Sequence, residues 1–211
     1  SHTASMAIKQ NIWNAAIKQC GAIPVANMEE LIDTLKALSY LPPVIGSRLG
    51  ILGGSGGQSV ALADTFAEAG LEVPELTAKS YKKLESFFQV VGASYGNPID
   101  PGVNRRELGR IMDILEQDSN VEIVVEMIMI RGSFRSVEEL WEDVQHIIEM
   151  KERSSKPVLA ILFSSTSEEN VLAGKIAEKF HQNQVAAFVT FERAALALKN
   201  AVDYYRFRKS I

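Results

Sequence analysis

Val121-Glu122-Ile123-Val124-Val125-Glu126-Met127-Ile128-Met129-Ile130 is the stretch on which the reading of the fold turns. It is β-branched and apolar apart from two carboxylates, and too short to span a bilayer, which takes about 20 residues. A continuous apolar run, rather than an apolar–polar alternation, describes a strand covered on both faces. Pro157 to Phe163 repeats the pattern. Between the two, Leu140, Trp141, Val144, Ile147 and Ile148 recur at helical spacing within Val137 to Met150. Two buried strands joined by a helix of this length imply a right-handed crossover and a parallel pairing.

Working outward, the alternation continues in both directions. Downstream the pattern predicts a helix over Glu168–Phe180, a strand over Val185–Thr190 and a closing helix over Glu192–Tyr205. Upstream it predicts helices over Arg105–Glu116, Ala78–Phe88 and Gln58–Ala69, with strands over Leu71–Val73 and Leu49–Leu52. These elements predict an α/β fold: a flavodoxin-like, doubly wound, five-stranded parallel sheet, in which ligands sit at the carboxyl ends of the strands.

The first 42 residues read differently. Ile8, Ile12, Trp13, Ala16 and Ile17 mark a helix ended by Gly21, Ala22–Val25 is short and extended, and Asn27 caps a helix carrying Leu31, Ile32, Leu35 and Leu38. Pro42-Pro43 then breaks the chain. A lone parallel strand has no sheet of its own. Residues 1–42 therefore read as the helix–strand–helix remnant of a second α/β domain, and 43–211 as the sheet domain. The chain starts at Ser1 without an initiator Met, which suggests a processed chain or a fragment.

The 211 residues carry 22 Lys plus Arg against 26 Asp plus Glu, a formal charge of −4. That balance argues against nucleic-acid binding, which needs clustered positive charge. A single cysteine, Cys20, excludes an internal disulfide framework and a thiolate metal cluster, and fits a reducing cytoplasmic setting. No membrane span or signal peptide is expected.

Gly53-Gly54-Ser55-Gly56-Gly57-Gln58 is the most informative local feature. It leaves a strand and opens a helix, so its backbone N–H groups and the helix dipole can cradle a phosphate. Tight strand–helix packing alone would also use such a loop. It is not a P-loop, because no Lys follows the last Gly. His2 offers a neutral imidazole that can carry a phosphoryl group. His146 and His181 read as surface residues, Cys20 as a small packed residue, and no spacing among them suits a metal. Asn97 and Asp100, in Gly-Asn-Pro-Ile-Asp-Pro, either orient a loop toward a ligand or form a rigid turn. Ser164 and Glu192 follow the last two strands; there Ser165 or Ser167 would cap one helix, and Glu192 would lie in the first turn of the next.

The combination resembles the ADP-forming acyl-CoA synthetases, relatives of succinyl-CoA synthetase. The resemblance runs through Ser1-His2-Thr3-Ala4-Ser5-Met6-Ala7, the Asn11–Gly21 helix, Gly21-Ala22-Ile23-Pro24-Val25, Met28–Leu31, the glycine loop, Gly96–Asp100 and Phe191–Leu198, where Phe191 replaces the usual Pro. It covers essentially the whole chain.

The resemblance implies that phosphate displaces CoA from an acyl-CoA, that His2 takes the phosphoryl group from the acyl phosphate, and that ADP receives it to give ATP. It implies a phosphohistidine held between two helix N-termini, one of them the helix after Gly53–Gly57. It identifies residues 1–42 as the C-terminal part of a succinyl-CoA-synthetase-like domain and 43–211 as a ligase-CoA domain. It further implies a Rossmann-type CoA-binding domain and an ATP-grasp domain or subunit as partners, with Mg2+ at the latter, and CoA, ADP/ATP and phosphate as substrates rather than tightly bound cofactors. The chain by itself is then expected to be inactive. Homo-oligomerisation stays open. A non-catalytic assembly or anion-binding module is the alternative; a flavin-binding protein would be yellow.

Overall fold

A computed structural model describes residues 9–130 and 136–211. Four parallel strands, β1 (Leu49–Gly53), β2 (Ile123–Met129), β3 (Val158–Phe163) and β4 (Ala186–Phe188), form one sheet in that order. The helices are α1 (Gln10–Cys20), α2 (Met28–Tyr40), α3 (Gly56–Glu68), α4 (Ala78–Glu85), α5 (Leu108–Gln117), α6 (Val137–Arg153), α7 (Ser167–Gln182) and α8 (Phe191–Ser210), and a 3-10 turn (Gly102–Glu107) leads into α5.

The continuous apolar strands are buried on both faces, as read. Strand side chains alternate between faces, so Val124, Ile128, Ala160 and Leu162 pack under α4, α5, α6 and α7. Ile123, Val125, Met127, Leu159 and Ile161 pack under α3, α8 and the end of α2. All four strands run the same way, so the loops after β1, β3 and β4 emerge at one edge, the carboxyl edge.

The fifth strand is the main departure. Leu71–Val73 is reduced to one parallel bridge, Glu72 beside Arg48, and Ile99 forms a second parallel bridge beside Leu52. Pro74 follows immediately, and a proline cannot donate to a ladder. The outer edge of β1 is nonetheless fully paired. Leu49 N–H donates to Glu72 O at 2.7 Å, Ile99 N–H donates to Ile51 O at 2.8 Å, and Gly53 N–H donates to Ile99 O at 3.0 Å. The gap between the two bridges is filled by the Asn97 side chain. Its Oδ1 accepts from Ile51 N–H at 2.9 Å, and its Nδ2 donates to Leu49 O at 2.7 Å and Pro74 O at 2.8 Å. One amide side chain, preceding a cis Asn97–Pro98 bond, stands in for the missing strand residues.

The opposite, amino edge closes on itself. Asp118 is buried and accepts from Thr77 N–H and Oγ1, both at 2.8 Å, and from Asn120 N–H at 2.7 Å. Burial alone would raise its pKa, but hydrogen bonds from Ser80, Thr77 and Asn120 outweigh that and lower it. Glu122 accepts from Ser47 and Arg48 N–H at 3.0 and 3.2 Å, and the Arg48 guanidinium holds its carboxyl below the ordinary range. Lys156 Nζ donates to Asp118 O at 2.7 Å.

Of the two N-terminal helices, α2 joins the core through Ala37, and α1 lies outside it. α1 ends at Gly21, whose left-handed φ of 66° suits a helix C-cap. A Cβ there would meet the Phe207 ring of α8 at 2.1 Å. Elsewhere α1 is nearly all exposed, including Ile12, Trp13 and Cys20. Cys20, read from its type as a small packed residue, is exposed because α1 packs so little of its surface. Ala22–Val25 belongs to no strand. Among the described residues no helix is long and apolar enough to cross a membrane.

Candidate functional site: the glycine loop at the carboxyl edge

The expected phosphate cradle divides into an inner and an outer part. Gly53 and Gly54 are buried and carry left-handed φ angles of 115° and 85°. A Cβ on Gly53 would sit 2.3 Å from Met127 O, so only glycine lets β1 turn this close to β2. Ser59 Oγ, from the first turns of α3, donates to Gly53 O at 3.1 Å and closes the turn from below. Ser55 then caps α3, and Gln58 Oε1 accepts from Ser55 N–H at 3.2 Å and from its hydroxyl at 3.0 Å. Gly53, Ser55 and Gln58, expected to face a phosphate, are thus engaged within the protein. Gly53 N–H serves Ile99, and Gln58 completes a helix cap.

Gly56 and Gly57 form the outer part. They are exposed, they are the first two residues of α3, and no atom lies within 4 Å of a Cβ on either. The N–H groups of a helix's first turn have no intrahelical acceptor. Among the described residues the N–H groups of Gly56 and Gly57 stand exposed at the positive end of a 13-residue helix. The arrangement can hold an anion without any cationic side chain.

Of the other expected residues, Asp100, Ser164 and Glu192 lie at this edge, and Asn97 lies beside the first half of β1. Asn97 is structural, as described. Asp100 Oδ1 accepts from Gly102 N–H at 3.1 Å, and its backbone pairs with Ser94 in both directions, which is a rigid turn. Ser164 Oγ donates to Asn170 Oδ1 at 2.7 Å. The α7 cap is neither Ser165 nor Ser167 but Thr166, which accepts from Glu169 N–H. Glu192 is exposed in the first turn of α8, where the dipole favours a carboxylate. His2 lies outside the described residues. A cavity of about 500 Å3 between α1 and α8 is lined by Ile17, Pro24, Tyr204 and Phe207 among others and not by the glycine loop. No group of three His, Cys, Asp or Glu suited to a metal occurs among the described residues.

Arg193, beside the expected Glu192, is a residue that sequence reasoning does not single out. Its Nε lies 2.5 Å from Asp33 of α2, a buried carboxylate, and that hydrogen bond raises the Arg193 pKa further. The signal was in the sequence: a polar Asp33-Thr34 pair interrupts the apolar residues of α2.

A family model described as succinyl-CoA ligase like flavodoxin domain matches residues 1–38. The chain is 29% identical to acetate–CoA ligase (ADP-forming) II subunit alpha of Pyrococcus furiosus, over 93% of this chain and 42% of that one. It is 30% identical to 4-hydroxybutyrate–CoA ligase (ADP-forming) of Nitrosopumilus maritimus, over 77% of this chain and 23% of that one. The solved structure of the Ca. Korarchaeum cryptofilum dinucleotide forming acetyl-coenzyme A synthetase 1, in complex with phosphate and ADP, matches with a TM-score of 0.81 at 25% identity. That match covers 99% of this chain and 44% of that one. The chain spans less than half the length of these relatives. By sequence and by fold it is a relative of the ADP-forming acyl-CoA ligases that corresponds to part of their length.

Proposed function

We propose that this chain is part of an acyl-CoA synthetase that interconverts acyl-CoA, ADP and phosphate with a carboxylic acid, CoA and ATP through a phosphohistidine at His2. The observation that carries the reading is the open, side-chain-free start of α3 at Gly56 and Gly57, on the carboxyl edge where parallel α/β sheets bind ligands. The kinship with ADP-forming ligases supports it.

Phosphate attacks the acyl carbonyl, the C–S bond breaks, and CoA leaves as the thiolate. A nitrogen of His2 attacks phosphorus in the acyl phosphate, and the carboxylate leaves. An oxygen of the ADP β-phosphate then takes the phosphoryl group and restores the neutral imidazole. The N–H groups of Gly56 and Gly57 hold the phosphoryl oxygens while the phosphoryl group is on histidine. No side chain of the loop performs proton transfer.

In this reading residues 1–42 complete a succinyl-CoA-synthetase-like domain and 43–211 form the ligase-CoA domain. CoA and nucleotide with Mg2+ bind to partner domains in the cytoplasm, a Rossmann-type unit and an ATP-grasp unit. The assembled enzyme, supplied with γ-labelled ATP, is expected to acquire acid-labile, base-stable label that His2→Ala abolishes. Undiminished labelling and turnover in His2→Ala would leave the non-catalytic module as the better description.

A further inference from the structure

α2 sits on the sheet domain with two polar residues, Asp33 and Thr34, buried beside Ala37, while its longer apolar stripe faces outward. Met28, Leu31, Ile32 and Leu35, spaced as one helical stripe, are 67, 36, 52 and 52% exposed, whereas Asp33 and Thr34 are each 3% exposed. The buried pair meets a matched row on α8 and β4. Asp33 accepts from Arg193 Nε at 2.5 Å and from Lys36 Nζ at 3.2 Å, and a second Arg193 nitrogen stands 3.6 Å from Glu29. Lys36 Nζ also donates to Ala187 O at 2.8 Å, above the Phe188 ring. Two turns along α8 from Arg193, Asn200 Nδ2 donates to Thr34 Oγ1 at 3.0 Å.

Adhesion alone does not require this. Apolar residues of similar volume hold two helices together without desolvating a carboxylate. What charged and hydrogen-bonded pairs add is register: Arg193 and Asn200 fix where along α8 the helix lies, and Lys36 fixes its rotation against β4. Arg193 stands in the first turn of α8, with its N–H donating to the Thr190 cap at 3.3 Å. That turn leaves the carboxyl edge of the sheet, the edge that carries the glycine loop.

We infer that Arg193 and Asp33 are positioning residues: their pair locks α2 in one orientation on the sheet domain. The lock stands on the geometry; its consequence for phosphoryl transfer rests on the function proposed above. The two parts are tested separately.

Hydrogen exchange of the 211-residue chain tests the lock. In Arg193→Met and in Asp33→Asn the amides of α2 are expected to exchange about tenfold faster, with β2 and β3 unchanged. Arg193→Lys should restore most of the protection. Unchanged α2 amides, or equal acceleration along the whole chain, would overturn the lock. In the assembled enzyme, Arg193→Met is expected to lower the maximal rate of histidine labelling about tenfold at an unchanged KM for nucleotide. Arg193→Lys should recover it. Labelling at the parental rate despite a loosened α2 would overturn the positioning role. Undiminished labelling in His2→Ala would overturn the phosphoryl-transfer reading alone, and the exchange result would still decide the lock.

Discussion

The two edges of the sheet are built from the same strands and have opposite characters. At the amino edge charged side chains satisfy the backbone and one another: Asp118 accepts from Thr77 and Asn120, Glu122 accepts from Ser47 and Arg48, and Lys156 donates to Asp118 O. At the carboxyl edge the protein does the reverse. It starts a helix with two exposed glycines and leaves their N–H groups facing outward. One edge uses side chains to satisfy the backbone. The other withholds side chains so that the backbone can receive something else. The boundary between the two regimes runs through the glycine loop itself, between Gly53–Gly54 and Gly56–Gly57.

The largest expected effect breaks that boundary from the inside. Gly53→Ala places a Cβ against Met127 O on a backbone that disfavours any side chain, and should cost about 3 kcal/mol or more of unfolding free energy in denaturant titration. Asn97→Ala should follow closely. It strands Ile51 N–H and Leu49 O inside the sheet, each worth about 1–3 kcal/mol when unsatisfied. Stability unchanged in Asn97→Ala would mean that the gap between the two bridges is closed in some other way.

Asp118→Asn comes next, at about 2 kcal/mol, because the amide loses charge-assisted acceptance from three donors. It also carries a pH signature. Asp118 and Glu122 have folded pKa values below their ordinary ones, so the unfolded chain binds protons first as pH falls. Their stabilisation is complete above the ordinary carboxylate pKa and is lost as pH falls through the lowered values. The melting temperature of the parent should therefore drop below about pH 4, and that of Asp118→Asn should drop less steeply. Glu122→Gln, with a side chain more than a third exposed, should cost only about 1 kcal/mol or less. Gly57→Ala should be smallest of all for stability, within about 0.5 kcal/mol or slightly stabilising, since its Cβ meets nothing and alanine suits a helix better.

Much of this was legible in the sequence, for reasons that also explain what was not. The apolar runs at 121–130 and 157–163 had to be central strands, because nothing else buries both faces over that length. The glycine loop announced a strand-to-helix turn through composition alone. The fifth strand was misleading because its hydrogen bonds come from three places, Glu72, the Asn97 side chain and Ile99, which no local pattern joins. Within the loop, residue type could not separate Gly53 from Gly57; only the approach of Met127 O does. In α2 the spacing of Leu31, Ile32 and Leu35 marks an apolar face correctly, but periodicity does not say which neighbour receives it. The sheet domain takes the other face, because α8 offers Arg193 and Asn200 there.

The direct test of the contrast between the edges is histidine labelling of the assembled enzyme by γ-labelled ATP in two variants, Gly57→Leu and Glu122→Gln. Gly57→Leu fills the open start of α3 without touching the core. It should melt like the parent and label at least about tenfold more slowly. Glu122→Gln should melt lower and label at the parental rate. Parental labelling in Gly57→Leu, with His2→Ala unlabelled, would contradict the assignment of the phosphate cradle to the glycine loop.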